Sequence, residues 1–184
     1  MENLLLERLI EGNRRYLSAD TNPASFGLAL RRETAENGQK PHTVVVCCSD
    51  SRVVPESIFS AGLGELFVIR VAGNVLGAPQ IGSIEYAAAH LGCKLIVVLG
   101  HTQCGAVRAA IDHDPSGFIK FITDEIKQAI GKEKDDYTAA LLNVRQSVRI
   151  IESSLEIQKD EQEEGLRVVG AMYRIEDGIV EFDL

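Results

Sequence analysis

The sequence predicts an α/β fold with a mostly parallel central β-sheet, in which four parallel strands and an antiparallel C-terminal edge strand are flanked by helices. Two observations predict this class. Short, continuous apolar runs rich in β-branched residues alternate with longer segments of helical periodicity, as in sheets whose strands are buried on both faces. The last two strands are separated by Asp177-Gly178, a pair typical of a tight β-hairpin.

The strands follow from these apolar runs. We predict parallel strands over residues 43–48, 66–71, 95–99 and 166–173, and the edge strand over 179–182. Helical spacing of apolar residues predicts helices over 3–18, 54–62, 83–90, from 104 or 105 onward, 116–131 and 136–157. Pro79 is predicted to lie in a loop and residues 159–165 in a polar turn. The expected organisation is a single domain over 1–184, with an N-terminal helical arm over 1–40 and the α/β core over 41–184.

Composition restricts the classes of function. The chain has 184 residues, a formal net charge of −8 and a pI near 5.0, which disfavours a nucleic-acid partner because phosphate binding needs clustered Lys and Arg. No apolar run approaches the roughly 18 residues that span a bilayer. The first residues lack the pattern of a secretory signal, so we expect a cytoplasmic protein without a membrane partner. In that compartment four cysteines indicate metal binding or catalysis rather than disulfides.

Two motifs follow two of the predicted strands. Cys48-Ser49-Asp50-Ser51-Arg52 comes directly after the first strand, and His101-x-x-Cys104-Gly105 comes directly after the third. Because open α/β sheets bind ligands at the carboxyl ends of their strands, we expect the two motifs to meet. Two thiolates and an imidazole, from Cys48, His101 and Cys104, suit Zn²⁺ rather than Ca²⁺ or Mg²⁺. The sequence therefore predicts a zinc site.

Three further residues have roles that the sequence leaves open. Asp50 is available as a fourth ligand that would close the site, and Arg52, two residues on, can instead hold its carboxylate in a bidentate pair. Gly105 either leaves backbone N–H groups at a helix start open toward an anion or eases tight packing. Cys47 is predicted to be a core residue, because neighbouring side chains of a strand point to opposite faces.

Together these motifs resemble the paired signature of the β-class carbonic anhydrases. Segments 11–16, 64–70 and 72–74 are also similar to that family. The resemblance implies Cys48, His101 and Cys104 as the zinc ligands, with Asp50 and Arg52 as the catalytic dyad beside them. It also implies a homodimer or a higher homo-oligomer in which the N-terminal helix packs on a partner subunit.

The activity implied by the resemblance is zinc-dependent, reversible hydration of carbon dioxide to bicarbonate and a proton. Gly105 would then contact the bicarbonate anion. One alternative is hydrolysis of carbon disulfide or carbonyl sulfide at the same metal site. An alternative of another class is a non-catalytic zinc protein, in which Asp50 closes the site permanently.

Overall fold

The computed structural model of the chain describes residues 2–19, 24–113 and 115–182. Its helices are α1 (Glu2–Ser18), α2 (Leu28–Asn37), α3 (Pro55–Ile58), α4 (Ala78–Leu91), α5 (Gly105–Asp112), α6 (Ile119–Ile130), α7 (Asp136–Glu152) and α8 (Leu155–Glu164). Its strands are β1 (Thr43–Cys47), β2 (Leu66–Arg70), β3 (Leu95–His101), β4 (Arg167–Tyr173) and β5 (Val180–Phe182), and a 3-10 turn covers Ala72–Asn74.

The five strands form one sheet in the order β2-β1-β3-β4-β5. The first four pair in parallel, and β5 pairs antiparallel with β4, which confirms the predicted fold class. The chain leaves β1 toward β2 on one side and returns to β3 on the other side. The carboxyl ends of β1 and β3 therefore flank a switch point, where such sheets form a ligand crevice.

Helices cover both faces of the sheet, and the alternation of side chains along each strand supplies a core to each face. Val44 and Val46 pack in the core beneath α4–α8, whereas Val45 and Cys47 pack in the core beneath α1 and α3. All five residues of β1 and all seven of β3 are buried. Burial on both faces explains why these strands read as continuous apolar runs.

Helix α1 packs on its own chain. Leu6 and Leu9 are buried in the core beneath the sheet. Asn13, also buried, donates from Nδ2 to the carbonyls of Ile58 (3.2 Å) and Gly178 (2.9 Å), and its Oδ1 accepts from the N–H of Val180 (3.1 Å). The apolar face of α1 is thus covered largely within the chain, while Leu4 and Leu17 remain exposed.

Four local predictions were wrong. The predicted helix over 136–157 is two helices, α7 and the first part of α8, and Ser154 between them caps the second. The predicted loop around Pro79 is the first turn of α4, because proline fits a first helical turn, and Ser83 lies inside this helix with its hydroxyl donating to the Pro79 carbonyl. The predicted polar turn over 159–165 is the end of α8, which Ser154 caps and Gly165 terminates. Helix α2 was missed because it buries no residue and so has no apolar periodicity.

None of the helices in the described part of the chain has the length and apolar character needed to cross a membrane.

Candidate metal centre

The three predicted zinc ligands converge at the carboxyl edge of the sheet. Cys48 follows β1, His101 is the last residue of β3, and Cys104 is the N-cap of α5. Their ligand atoms lie within 4.8 Å of one another, and all three side chains are buried. His101 was expected just after the strand, but it extends β3 because it pairs with Tyr173 of β4. No other group of three His, Cys, Asp or Glu residues meets this condition among the described residues.

The His101 ring is oriented by its own loop. Its Nδ1 lies 2.8 Å from the carbonyl oxygen of Thr102. Because a carbonyl can only accept, Nδ1 carries the proton and Nε2 keeps its lone pair. Nε2 is buried and has no hydrogen-bond partner within the described residues. An imidazole that offers a buried, free lone pair beside two thiols fits a zinc ion, and the backbone contact at Nδ1 is the usual support of a metal-binding histidine.

The groups around the Cys48 sulfur favour its thiolate form. The N–H groups of Gly73 (3.2 Å) and Asp50 (3.4 Å) donate to its Sγ. A hydrogen bond from the Cys104 thiol lowers the pKa of Cys48 to about 4, with burial opposing this shift and His101 and the two backbone donors adding to it. The same bond raises the pKa of Cys104, because the thiol must keep its proton to donate it. The N–H groups of Ala106 and Val107, in the first turn of α5, favour the Cys104 thiolate.

Gly73 can donate to Cys48 because of its unusual backbone. Its φ of +67° is one that residues with a side chain rarely adopt, and a Cβ there would lie 2.8 Å from Cδ1 of Ile126. Asn143 of α7 donates to the Gly73 carbonyl at 2.7 Å, and Ser147 donates to the Asn74 carbonyl at 3.1 Å. Two buried side chains of α7 therefore hold the 3-10 turn against the Cys48 sulfur.

Asp50 and Arg52 form a bidentate pair beside the three ligands. Nε of Arg52 donates to Oδ1 of Asp50 at 3.0 Å and Nη2 donates to Oδ2 at 2.8 Å, while the N–H of Arg52 also reaches Oδ1 at 2.9 Å. These bonds hold the pKa of the Asp50 carboxyl well below its usual range. Arg70 donates to the carbonyl of Asp50 at 2.7 Å and so fixes the backbone of the motif. The sequence left two arrangements open for Asp50, as a fourth metal ligand or paired with Arg52. In the structure Asp50 is paired with Arg52.

Comparison with known proteins decides the family. The carbonic anhydrase family model matches residues 43–180. This chain belongs to the carbonic anhydrase family. A carbonic anhydrase of Mycolicibacterium smegmatis is 37% identical over 94% of this chain and 89% of its own length. Carbonic anhydrase 2 of Mycobacterium tuberculosis is 36% identical over 92% of this chain and 87% of its own length.

Solved structures place the chain in the β class of carbonic anhydrases. The β-carbonic anhydrase CafA of Aspergillus fumigatus matches with a TM-score of 0.77 and 28% identity, over 84% of this chain and 80% of that chain. One of two tetrameric β-carbonic anhydrases of Sordaria macrospora matches with a TM-score of 0.73 and 26% identity, over 84% of this chain and 90% of that chain.

Gly105 and the two cysteines outside the ligand set of this carbonic anhydrase have different surroundings. Gly105 is the first residue of α5, and a Cβ built there meets nothing within 4 Å, which speaks against the packing explanation for this glycine. Cys47 is a core residue as predicted, and Cys93 is also buried in the core. Burial raises the pKa of Cys47 to about 12 and that of Cys93 to about 11, and neither sulfur belongs to the group of converging ligand atoms.

Proposed function

We propose that this protein catalyses the reversible hydration of carbon dioxide to bicarbonate and a proton, with Zn²⁺ held by Cys48, His101 and Cys104. One observation carries the proposal: two buried thiols and the free Nε2 of His101 converge within 4.8 Å in a chain of the carbonic anhydrase family. A zinc ion held there would lower the pKa of a water molecule and so supply the nucleophile that attacks CO2.

Asp50 and Arg52 are proposed as the catalytic dyad. Arg52 keeps the Asp50 carboxylate ionised, so at neutral pH this group accepts hydrogen bonds and donates none. It would accept a hydrogen bond from the hydroxyl of the nucleophile and aim the oxygen lone pair at the CO2 carbon. Arg52 also donates to the Gln103 carbonyl at 3.2 Å, which ties the dyad to the loop between the other two ligands. Asp50 as a fourth ligand is the competing arrangement, in which the site would be closed.

Gly105 is proposed as the contact for the bicarbonate anion. It begins α5 beside Cys104 and is exposed, and nothing lies within 4 Å of the position that a Cβ would take. An N–H group at a helix start favours an anion through both hydrogen bonding and the helix dipole.

We further propose that the protein is a cytoplasmic homo-oligomer. The tetramers of Sordaria macrospora among the similar structures support this assembly. So do large apolar side chains left exposed, including Leu4, Leu17 and Phe121. Each subunit would be a single domain over 1–184 with its helical arm over 1–40. Sedimentation velocity that gave only monomer at micromolar concentration would contradict the assembly.

Stopped-flow CO2 hydration by the zinc-loaded protein tests the proposed activity, with sulfide release from carbon disulfide and carbonyl sulfide measured in parallel. We expect fast CO2 hydration and no sulfide release above background. Sulfide release without CO2 hydration would assign the alternative reaction. Zinc binding with neither reaction would make the protein a non-catalytic zinc protein.

A further inference from the structure

The loop between the second and third ligands is held in an unfavourable backbone conformation. Only Thr102 and Gln103 separate His101 from Cys104, and Gln103 has a φ of +56°. A left-handed conformation costs a residue with a side chain about 1–2 kcal/mol. Other contacts must therefore keep this loop in place.

Glu176 makes such contacts from outside the two motifs. It lies in the turn between β4 and β5 and is exposed. Its Oε2 accepts from the Thr102 hydroxyl at 2.9 Å, and its Oε1 accepts from Nε2 of Gln103 at 2.7 Å. The Thr102 hydroxyl oxygen in turn accepts from the N–H of Ile175 at 3.0 Å. One carboxylate thus binds the side chains of both loop residues.

The backbone of the same loop contacts the metal centre. The Thr102 carbonyl accepts from Nδ1 of His101, and the Gln103 carbonyl accepts from Nη2 of Arg52. A shift of either carbonyl would rotate the imidazole or move the guanidinium that holds Asp50. The Glu176 carboxylate is therefore connected through one residue to a zinc ligand and through another to the dyad.

We propose that Glu176 is a positioning residue of the metal centre, which fixes the loop Thr102–Gln103 and thereby the directions of His101 Nε2 and of Arg52. The inference rests on the proposed function, because it assigns Glu176 to the same site. Glu176 touches neither metal nor substrate in this assignment. It acts through hydrogen bonds that an uncharged or shorter side chain cannot reproduce in full.

The variant Glu176→Ala removes both contacts, and Glu176→Gln keeps the length of the side chain and one acceptor oxygen. Glu181→Ala is the matched control. Glu181 is an acidic residue of the same hairpin, and it accepts from Tyr137 and Arg174 rather than from the loop.

The main readout is zinc affinity, measured by competition with a chromophoric chelator, because it does not depend on turnover. We expect the Kd for zinc to rise about 10-fold to 100-fold in Glu176→Ala, with partial recovery in Glu176→Gln and no change in Glu181→Ala. At saturating zinc, kcat for CO2 hydration should fall in Glu176→Ala while the midpoint of thermal unfolding matches that of the control.

A zinc Kd of Glu176→Ala within about twofold of the Glu181→Ala value would overturn the proposal. An equal loss of zinc affinity in Glu176→Gln and Glu181→Ala would also overturn it, since the effect would then follow from the charge of the hairpin. If the wild-type protein binds zinc but hydrates no CO2, the proposed function fails, and the zinc affinities still decide the role of Glu176.

Discussion

Asp50 uses both carboxylate oxygens to hold Arg52, and the sulfur and nitrogen donors of the site lie beside this pair. In the proposed mechanism, ligand binding and catalytic aiming therefore belong to different side chains. The two functions should be separable by substitution. Loss of Asp50 should impair catalysis and leave the three ligands in place.

Asp50→Asn keeps the shape of the side chain and removes its charge. We expect kcat/KM for CO2 hydration to fall by about 100-fold or more, because an amide cannot replace an ionised acceptor, while the zinc content per chain stays unchanged. Stopped-flow hydration and metal analysis measure the two quantities. Asp124→Asn is the control, since Asp124 pairs with Lys120 on the surface. Activity of Asp50→Asn equal to that of the control would contradict the role of Asp50.

His42 should make the free energy of unfolding depend on pH. Burial, followed by the charge of Arg8, lowers its pKa to about 4, and Glu65 opposes this shift in part. Between pH 6.5 and pH 4 the unfolded chain binds a proton at His42 that the folded chain does not bind. The free energy of unfolding should therefore fall as the pH drops through this range, and above it His42 should contribute nothing.

The substitution His42→Gln should flatten this dependence. Urea unfolding at pH 7 and pH 5 would measure the loss of stability in the wild-type protein and in the variant. We expect the wild-type protein to lose about 1–2 kcal/mol more than the variant, a value reduced because solvent screens a half-buried charge. Identical losses in both proteins would show that His42 remains ionisable in the fold.

At the level of elements, α7 supports the metal centre through the 3-10 turn over Ala72–Asn74. Gly100 of β3 lets α7 approach closely, because a Cβ there would lie 2.4 Å from Val144. This contact places Asn143 against the 3-10 turn whose Gly73 donates to Cys48. The helix that packs on β3 therefore also sets the environment of Cys48, the ligand that follows β1.

Asn143→Ala would leave the buried Gly73 carbonyl without its donor. We expect the free energy of unfolding to fall by about 1–3 kcal/mol, the cost of an unsatisfied buried polar group, and zinc affinity to fall as well. Urea unfolding and chelator competition measure the two effects. Gln146→Ala, on the same helix, serves as the control. A variant with wild-type stability and zinc affinity would contradict the support assigned to α7.

Helix α8 offers a test of a local feature that lies far from the metal. Ser154 caps it by accepting from the N–H of Ile157, and its hydroxyl donates to Glu85 of α4 at 2.7 Å. Ser154→Ala should lower the free energy of unfolding by about 1 kcal/mol and leave CO2 hydration unchanged. Thermal unfolding measures the loss of stability, and stopped-flow assays measure CO2 hydration. A loss of turnover at full zinc loading would contradict the expectation that this cap does not affect the metal centre.

The elements that the sequence predicted are those with a buried apolar pattern. β1 and β3 are predominantly apolar because they are covered on both faces, and Gly92 ends α4 in the left-handed conformation. α2 and the second half of α8 bury almost nothing, so their sequences resemble loops. Hydrophobic periodicity cannot report a helix that lies on the surface.

The same limit applies to the site. The three ligands were predictable because their motifs directly follow strands, and strand order then brings them together. Asn143 and Glu176 were not predicted, since each supports the site through a hydrogen bond to a residue at least 70 positions away. Such contacts depend on how α7 packs and on the conformation of the β4–β5 turn. No local sequence pattern predicts either of these.

At the scale of the whole molecule, the sheet order is what creates the site. β1 and β3 are neighbours although β2 lies between them in the chain, so their carboxyl ends meet at the switch point. The buried donors from these two ends, joined by Cys104 at the start of α5, make a pocket for one zinc ion. Among the described residues this is the one group of three such side chains, so we expect one metal centre per chain.

Titration of the metal-free protein with zinc, with the CO2 hydration rate followed by stopped flow, tests this account most directly. The rate should rise linearly with added zinc and reach its plateau at about one zinc per chain, because one set of three ligands holds the metal. The variant Cys104→Ser should neither bind zinc tightly nor reach that rate. Stoichiometric zinc binding without CO2 hydration, or hydration that does not depend on zinc, would contradict it.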